Sequence, residues 1–259
     1  MSVNVNEYYN KVYDEDKRLD NDCDNRHKVE REVKKRIISN LLKDKSRILE
    51  IGAGTGVYCV EFAKKGHIVS ACDLVQKHVD IINEKSKSNN LNIDAKCADA
   101  LDLPYDNESF DIVLLSGPLY HLHKVEDKIK AIKEALRCLK KGGYIVVDYL
   151  SDIHGYIQHV LLSKEFLLEK DPNDFYDNLE IDEIFSYDNK NKIEKILTEL
   201  EVKQIKFYST DSITRFIKED INKLDEKKFD KWLSFINKIS DNENIIDLSE
   251  HCLAIGIKK

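Results

Sequence analysis

The sequence predicts an α/β fold, in which helices pack on both faces of a mostly parallel sheet. Three observations support this prediction. Between residues 47 and 149, short apolar runs alternate with amphipathic segments at the spacing of βαβ units. The runs at 110–115 and 144–149 are almost continuously apolar, as expected of strands buried on both faces. Hydrophobic residues make up 42% of the chain, which is enough for a packed core and argues against disorder.

Strands and helices can be assigned in order along the chain. Strands are predicted at residues 47–51, 67–73, 92–97, 110–115 and 144–149, with helices at 57–65, 75–90 and 129–139 between them. Gly142-Gly143 is expected to end the third of these helices. A helix at 192–200, a strand at 202–208, an amphipathic helix carrying Phe229 and Trp232, and a last strand at 252–257 complete the pattern.

We expect one domain, because only three prolines occur and no linker divides the 259 residues. Its predicted parts are an N-terminal helical cap at 1–45, a cofactor-binding core at 46–150, a helical lid insertion at 151–190 and the C-terminal part of the sheet at 191–259. The lid is predicted from acidic and aromatic residues, such as Phe175 and Tyr187, that interrupt the alternation of strands and helices.

Charge and cysteine usage argue against several classes of protein. A net charge of −7 disfavours nucleic-acid binding, and the basic run Lys34-Lys35-Arg36 is expected to be solvated helix surface. The six cysteines form no Cys-x-x-Cys pair, so neither a metal site nor a disulfide framework is predicted. No signal-peptide pattern and no apolar stretch of membrane-spanning length occur. We therefore expect a cytoplasmic monomer or homodimer with no membrane partner.

Three glycines, Gly52, Gly54 and Gly56, follow the first strand and precede a helix. Glycine lets the chain turn sharply there and lets a ligand approach the backbone, at the edge where open α/β sheets bind ligands. The dinucleotide-binding fingerprint needs a glycine where the chain has Val57, and the Gly-Lys-Ser/Thr of a nucleotide-binding P-loop is absent. The observed form is acid-x-Gly-x-Gly-x-Gly, beginning at Glu50. A tight turn without a ligand remains the alternative.

Acidic residues follow the next two strands. Asp73 ends the second strand, where a carboxylate can accept hydrogen bonds from both ribose hydroxyls of an adenosine cofactor. It fits S-adenosylmethionine (SAM) and NAD equally well. Asp99-Ala100 follows the third strand, and its combination with the earlier residues favours SAM.

Taken together, residues 48–56, Asp73 and the stretches 99–104, 109–113 and 136–144 resemble class I SAM-dependent methyltransferases. The resemblance implies a Rossmann-like seven-stranded sheet of order 3-2-1-4-5-7-6, with the last strand antiparallel. It also implies SAM as the cofactor, S-adenosylhomocysteine (SAH) as the product, and Asp99 at the adenine amino group. The residues expected at the cofactor are Glu50, Gly52, Ala53, Gly54, Gly56, Asp73, Leu74, Asp99, Ala100, Ser116, Tyr9 and Arg26.

The segment Gly-Pro-Leu-Tyr-His-Leu at residues 117–122 resembles a narrower bacterial group of these enzymes. Tyr9 and Arg26 near the N-terminus and the pair Glu250-His251 share that resemblance. Tyr9 and Arg26 can fold over the cofactor, and a packing role is the alternative for both.

Methyl transfer from a sulfonium is an in-line displacement whose leaving group needs no proton, so alignment in a dry pocket can supply most of the catalysis. A general base is needed only if the acceptor must lose a proton. Tyr120, His121 and His123, after the fourth strand, are the candidates for the base, and a structural role is the alternative for His121. Tyr149 and His154, after the fifth strand, are expected on the acceptor side.

A small-molecule acceptor, attacked at oxygen, nitrogen or carbon, fits the sequence best. Amino-methylating DNA and RNA enzymes need an Asn/Asp-Pro-Pro-aromatic motif that residues 116–119 lack, and no proline precedes a cysteine as cytosine C5 enzymes require. We expect residues 1–30 and 151–190 to cover the acceptor. The alternatives are a SAM- or SAH-binding protein without turnover, a protein methyltransferase and an NAD-dependent oxidoreductase.

Overall fold

The structure, a computed structural model, describes residues 5–11, 18, 23–169 and 184–259. Parts of the predicted N-terminal cap, at residues 1–4, 12–17 and 19–22, lie outside the described residues. So does the part of the predicted lid at residues 170–183, which includes Phe175.

A single mixed sheet forms the centre of the described chain. Its eight strands are β1 Arg47–Ile51, β2 Ile68–Asp73, β3 Ile93–Cys97, β4 Phe110–Leu115, β5 Leu139–Ser151, β6 Tyr187–Asp188, β7 Val202–Ser209 and β8 His251–Lys258. The strands lie in the order β3-β2-β1-β4-β5-β8-β7, and β7 and β8 are the predicted sixth and seventh strands, so the predicted order is confirmed. As expected, β8 runs antiparallel to both of its neighbours. The short strand β6, which pairs in parallel with β5, was not predicted and makes the end of the supposedly helical lid a strand.

Ten helices flank this sheet in the described residues. They are α1 Val5–Lys11, α2 Asn25–Ser39, α3 Val57–Lys64, α4 Gln76–Ser88, α5 Val125–Cys138, α6 Asp152–Leu162, α7 Phe166–Glu169, α8 Lys190–Glu199, α9 Lys218–Ile221 and α10 Glu226–Ile239. Short 3-10 turns lie at Pro118–His121, Ser212–Arg215 and Ile246–Leu248. None of the described helices combines the length and the apolar composition that a membrane span requires.

Two layers of helices bury the two faces of the sheet. Along β1, Leu49 and Ile51 join one core cluster while Ile48 joins the other, which is the two-residue period of a strand. Helices α5 and α8 contribute to the first cluster, and α2, α3, α4 and α10 contribute to the second. Burying each such aliphatic side chain stabilises the fold by roughly 1.5–3 kcal/mol.

Helix α5 ends earlier than the glycines predict. It stops at Cys138, and β5 begins at Leu139, so Gly142-Gly143 lies within the strand and does not end the helix. The register between β4 and β5 shifts at this point. A Cβ at Gly143 would lie 2.8 Å from the Asp111 carbonyl oxygen, so close backbone approach explains this glycine.

The register of the parallel strands brings four loops to one edge of the sheet. Ile51 lies opposite Cys72 on one side and Leu115 on the other. In the next pair, Asp73 lies opposite Cys97. The chain therefore leaves β1, β2, β3 and β4 at neighbouring points, which is where open α/β sheets bind their ligands.

Candidate active site: two adjoining cavities

The glycine turn after β1 lies directly against the loop after β4. Gly52 and Gly54 have φ of +72° and +52°, a region that L side chains rarely adopt. The Gly52 and Ala53 amides both donate to the Cys72 carbonyl, which holds the turn on the end of β2. A Cβ at Gly52 would lie 2.5 Å from the Ser116 carbonyl oxygen, so only glycine fits there.

Asp73, at the end of β2, ties this turn to helix α4. One of its carboxylate oxygens accepts a hydrogen bond from the Gly54 amide at 2.8 Å. The other oxygen accepts from the Val75 amide at 2.9 Å and lies 3.1 Å from His78 Nδ1. A carboxylate offers about four acceptor positions, so Asp73 keeps capacity for about one more hydrogen bond.

A first cavity opens above these loops with about 850 Å³ of empty space. Ten of the residues predicted from the sequence line it, namely Tyr9, Gly52, Gly54, Asp73, Leu74, Asp99, Ala100, Ser116, Tyr120 and His121. Four predicted cofactor residues do not, namely Glu50, Ala53, Gly56 and Arg26. Sequence reasoning missed Val5, Val75, His78 and Leu122, among others in the lining. His78 lies in the first turn of the helix that follows Asp73, and this short spacing could have indicated that its side chain lies near the Asp73 carboxylate.

Glu50 lies beneath the turn as a buried acid. Burial raises its pKa to about 8, and Lys34 opposes the shift while Asp148 adds to it. Its Oε2 has no hydrogen-bond partner. Glu50 is therefore protonated at neutral pH, and its side chain is buried beneath the turn and does not line the cavity.

Lys34 corrects the prediction of a solvated basic run. Its side chain is 5% exposed, and it donates from α2 to the Ser116 hydroxyl at 3.0 Å and to the carboxylate of Asp148. Its ammonium also lies 4.6 Å from the centre of the Tyr58 ring. Lys34 thus connects helix α2 to the loop after β4 and to β5, below the first cavity.

The N-terminal helix α1 covers the first cavity through Val5 and Tyr9. Tyr9 Oη lies 3.0 Å from His121 Nε2, and His121 Nδ1 lies 3.1 Å from the Ile184 carbonyl oxygen. Because a carbonyl oxygen can only accept, Nδ1 carries the proton that it bonds. In the neutral ring Nε2 is then the acceptor of the Tyr9 hydroxyl, and it has the chemistry of a base.

A second cavity, with about 1040 Å³ of empty space, adjoins the first. The two share Tyr9 and Tyr120 in their linings. Further members are aromatic or apolar (Tyr8, Leu150, Leu162, Phe185, Tyr187). The remainder are polar or charged (Arg18, Arg26, His27, Gln158, His159, Arg215, Glu250, His251).

Buried ion pairs form the polar wall of the second cavity. Burial alone would raise the pKa of Glu30, but Arg18 and His251 hold it at about 2. Burial alone would lower the pKa of His251, but Glu30 and Asp211 raise it to about 9. Glu30 is thus ionised and His251 protonated at neutral pH, and each stabilises the charge of the other.

Tyr149 and His154 line neither cavity, contrary to the expectation that they face an acceptor. Tyr149 is 1% exposed and belongs to the core. His154 stacks on Phe216 with ring centres 4.7 Å apart, and it is bonded to the Leu248 carbonyl. Both side chains pack the interior below β5 and α6.

Comparison with known proteins matches residues 48–143 to a family described as a methyltransferase domain. Three curated relatives are methyltransferases of quinone biosynthesis. A demethylmenaquinone methyltransferase of Clavibacter sepedonicus is 36% identical over 39% of the chain. A ubiquinone/menaquinone biosynthesis C-methyltransferase of Vibrio campbellii is 27% identical over 63% of the chain, and a ubiquinone biosynthesis O-methyltransferase of Bartonella tribocorum is 28% identical over 65%. The chain spans 40%, 66% and 68% of their respective lengths.

Solved structures share the fold at low sequence identity. One is a SAM-dependent methyltransferase, possibly acting on histamine, from Thermotoga maritima, with a TM-score of 0.58 and 20% identity over 90% of this chain and 92% of that one. Another is a phosphoethanolamine N-methyltransferase of Haemonchus contortus in complex with phosphomonomethylethanolamine and SAH, with a TM-score of 0.60 and 16% identity over 100% of this chain and 61% of that one. Every described residue that lines the second cavity, except Tyr120, lies outside the matched residues 48–143.

Proposed function

We propose that the chain is a class I SAM-dependent methyltransferase that transfers the methyl group of SAM to an oxygen, nitrogen or carbon atom of a small organic acceptor. The match of residues 48–143 to a methyltransferase domain and the fold shared with solved SAM-dependent methyltransferases support this proposal. One observation carries the proposal: the cavity built on the glycine turn and Asp73 meets a second, aromatic-walled cavity at Tyr9 and Tyr120. Two ligands that react with each other need two sites with a common border.

The residues of the first cavity suit SAM. The Asp73 carboxylate has capacity for a ribose hydroxyl, and Asp99-Ala100 at the cavity rim suits the adenine. A backbone at Gly52 and Gly54 without Cβ atoms allows close approach of the amino-acid part. When bound, SAM supplies an electrophilic methyl group on a positively charged sulfur.

The protein then contributes alignment, exclusion of water and, where needed, a base. Tyr9 and Tyr120 orient the acceptor atom towards the methyl group at the border of the two cavities. For a hydroxyl acceptor, the proton passes to Tyr9 Oη while the Tyr9 proton passes to His121 Nε2, 3.0 Å away. For an acceptor that is already an anion, or for a neutral amine that attacks with its lone pair, alignment alone suffices.

Calorimetric titration of the protein with SAM, SAH and NAD tests the cofactor. We expect SAM and SAH to bind and NAD not to bind. Asp73→Ala removes the carboxylate that ends β2 and lines the cavity, so it should weaken SAH binding at least tenfold, as expected for hydrogen bonds to a charged group. Asp94→Ala, on the exposed side of β3, is the matched control and should leave binding unchanged. Tight binding of NAD without SAM would overturn the proposal.

Turnover, measured as SAH release over a panel of hydroxyl, amine and carbon acceptors, separates an enzyme from a binding protein. Substitution His121→Asn should lower turnover of a hydroxyl acceptor by about 10²–10⁴-fold, the usual contribution of a general base. His123→Asn, two residues away and exposed, should be silent. If both variants turn over normally, His121 has the structural role and the proton leaves by another route.

A further inference from the structure

Among the described residues, four cationic side chains line the second cavity, and each of them lies near a carboxylate. Both Glu30 oxygens accept hydrogen bonds from Arg18 Nη1, at 3.0 and 2.9 Å. Arg215 Nε lies 2.7 Å from Glu250 Oε2. The third paired cation, His251, lies 3.1 Å from an oxygen of the buried Asp211 carboxylate.

Arg26 has the longest of the four ion pairs. Its two terminal nitrogens make no hydrogen bond with any residue that the structure describes, and its Nε is buried without a hydrogen-bond partner. The nearest carboxylate is that of Asp24, whose Oδ2 lies 3.3 Å from Nε. That carboxylate already accepts from the His27 amide and from Asn222 Nδ2, and its side chain is 37% exposed. The Arg26 guanidinium, whose side chain is 20% exposed, thus has one distant counter-ion that it shares with other donors.

The neighbouring His27 does not add a further positive charge. Burial and the Arg26 charge together outweigh the opposing effect of Glu30 and lower the pKa of His27 to about 4, so His27 is neutral at pH 7. One loosely paired guanidinium, in a wall that also contains Glu250 and the ion pairs of Glu30 and Asp211, favours a ligand with one negative charge over a doubly charged one.

The opposite wall of the cavity is aromatic. Tyr8 and Phe185 meet edge to face with ring centres 6.0 Å apart, and Phe185 lies 6.2 Å from the Tyr120 ring. Leu162 and Tyr187 extend this wall. Rings in such an arrangement pack favourably against another flat apolar group.

We propose that the methyl acceptor is an aromatic carboxylic acid whose carboxylate is bound by Arg26 and whose ring lies against Tyr8, Tyr120 and Phe185. The planar guanidinium presents two parallel N–H donors that match the two oxygens of a carboxylate. The ring then extends towards Tyr9, at the border with the first cavity. This inference rests on the proposed function, because it assigns the second cavity to the acceptor.

The test is a binding panel of acids and their amides. Benzoate, 4-hydroxybenzoate, 4-hydroxyphenylacetate and indole-3-acetate are each titrated against the matching primary amide, with and without SAH. We expect at least one acid to bind about tenfold or more tightly than its amide, since a hydrogen-bonded charge is worth that much. In Arg26→Gln the acid and amide should bind alike, and Lys28→Gln on the same helix should keep the preference.

Two further measurements keep the outcomes distinct. SAH affinity should be the same in Arg26→Gln as in the unaltered protein, because Arg26 does not line the first cavity. Arg26→Lys keeps the positive charge but loses the two parallel N–H donors of the guanidinium, so the preference of this variant for the acid should fall by about threefold or more. This variant replaces Arg26→Gln if the glutamine variant does not fold. The inference is overturned if no acid binds more tightly than its amide, or if the preference survives loss of Arg26. Failure of SAH to bind would instead overturn the proposed function. The two outcomes can be told apart because the preference for the acid is also measured without SAH.

Discussion

Replacement of Gly52 by alanine measures how tightly the glycine turn is held against the loop after β4. The new Cβ would lie 2.5 Å from the Ser116 carbonyl oxygen and 2.7 Å from Pro118 Cδ. Neither atom belongs to a flexible side-chain end, so the turn or the loop must move. The residue must also keep φ at +72°, which L-residues adopt only with strain.

Two contributions set the size of the effect. The left-handed backbone costs an alanine about 1–2 kcal/mol. Overpacking against a backbone that cannot rotate away adds about 1–3 kcal/mol. We therefore expect Gly52→Ala to lower the free energy of unfolding by about 2–5 kcal/mol, with a fall in Tm of about 2–4 °C per kcal/mol for a chain of this size.

Gly66→Ala is the matched control, because Gly66 has φ of +87° and no atom within 4 Å of an added Cβ. It carries the backbone penalty alone and should lose about 1–2 kcal/mol. Urea denaturation of both variants gives the difference, and SAH titration shows whether the displaced turn still binds its ligand. Equal losses of stability in the two variants, with unchanged SAH affinity, would refute the close contact between the turn and Ser116.

Three further predictions concern the buried charges. Lys34→Met leaves Asp148 without its cation and should lower the free energy of unfolding by about 3–5 kcal/mol, while the double variant with Asp148→Asn should recover part of it in urea denaturation. The pKa of His251, about 9, lies above its usual 6.5, so its contribution to stability is complete below pH 6.5 and is lost as pH rises through 9. Tm measured over this pH range should therefore fall, and the fall should be absent in His251→Gln. For Glu30, with its pKa lowered to about 2, the contribution is present above pH 4.5 and is lost as pH falls towards 2, which the same scan extended to acid should reveal.

The sheet and the first cavity could be predicted because their determinants are local in sequence. The glycine turn, Asp73 and Asp99 each follow a strand directly, and parallel strands bring their ends to one edge whatever the details of packing. Strand β6 could not be predicted, since two residues carry no periodicity.

The position of Arg26 depends on contacts that no local pattern encodes. The cavity in which it lies also contains Arg215 and His251, which are about 190 and 225 residues away in sequence. Lys34, by contrast, left a signal: it follows Glu30 by four residues, on the same stripe as the buried Val33 and Ile37. A charge inside an apolar stripe indicates a buried partner, and the run of three cations obscured that indication.

The border at Tyr9 and Tyr120 also separates two cavities that are built from different parts of the chain. Apart from Val5 and Tyr9 of α1, the described residues of the first cavity come from the stretch 48–143 that matches the methyltransferase domain. Apart from Tyr120, those of the second cavity come from outside that stretch. Substitutions at residues that line only the second cavity alter the shape and charge offered to an acceptor while the glycine turn and Asp73 stay as they are, so these positions are where an engineer would build a new acceptor pocket.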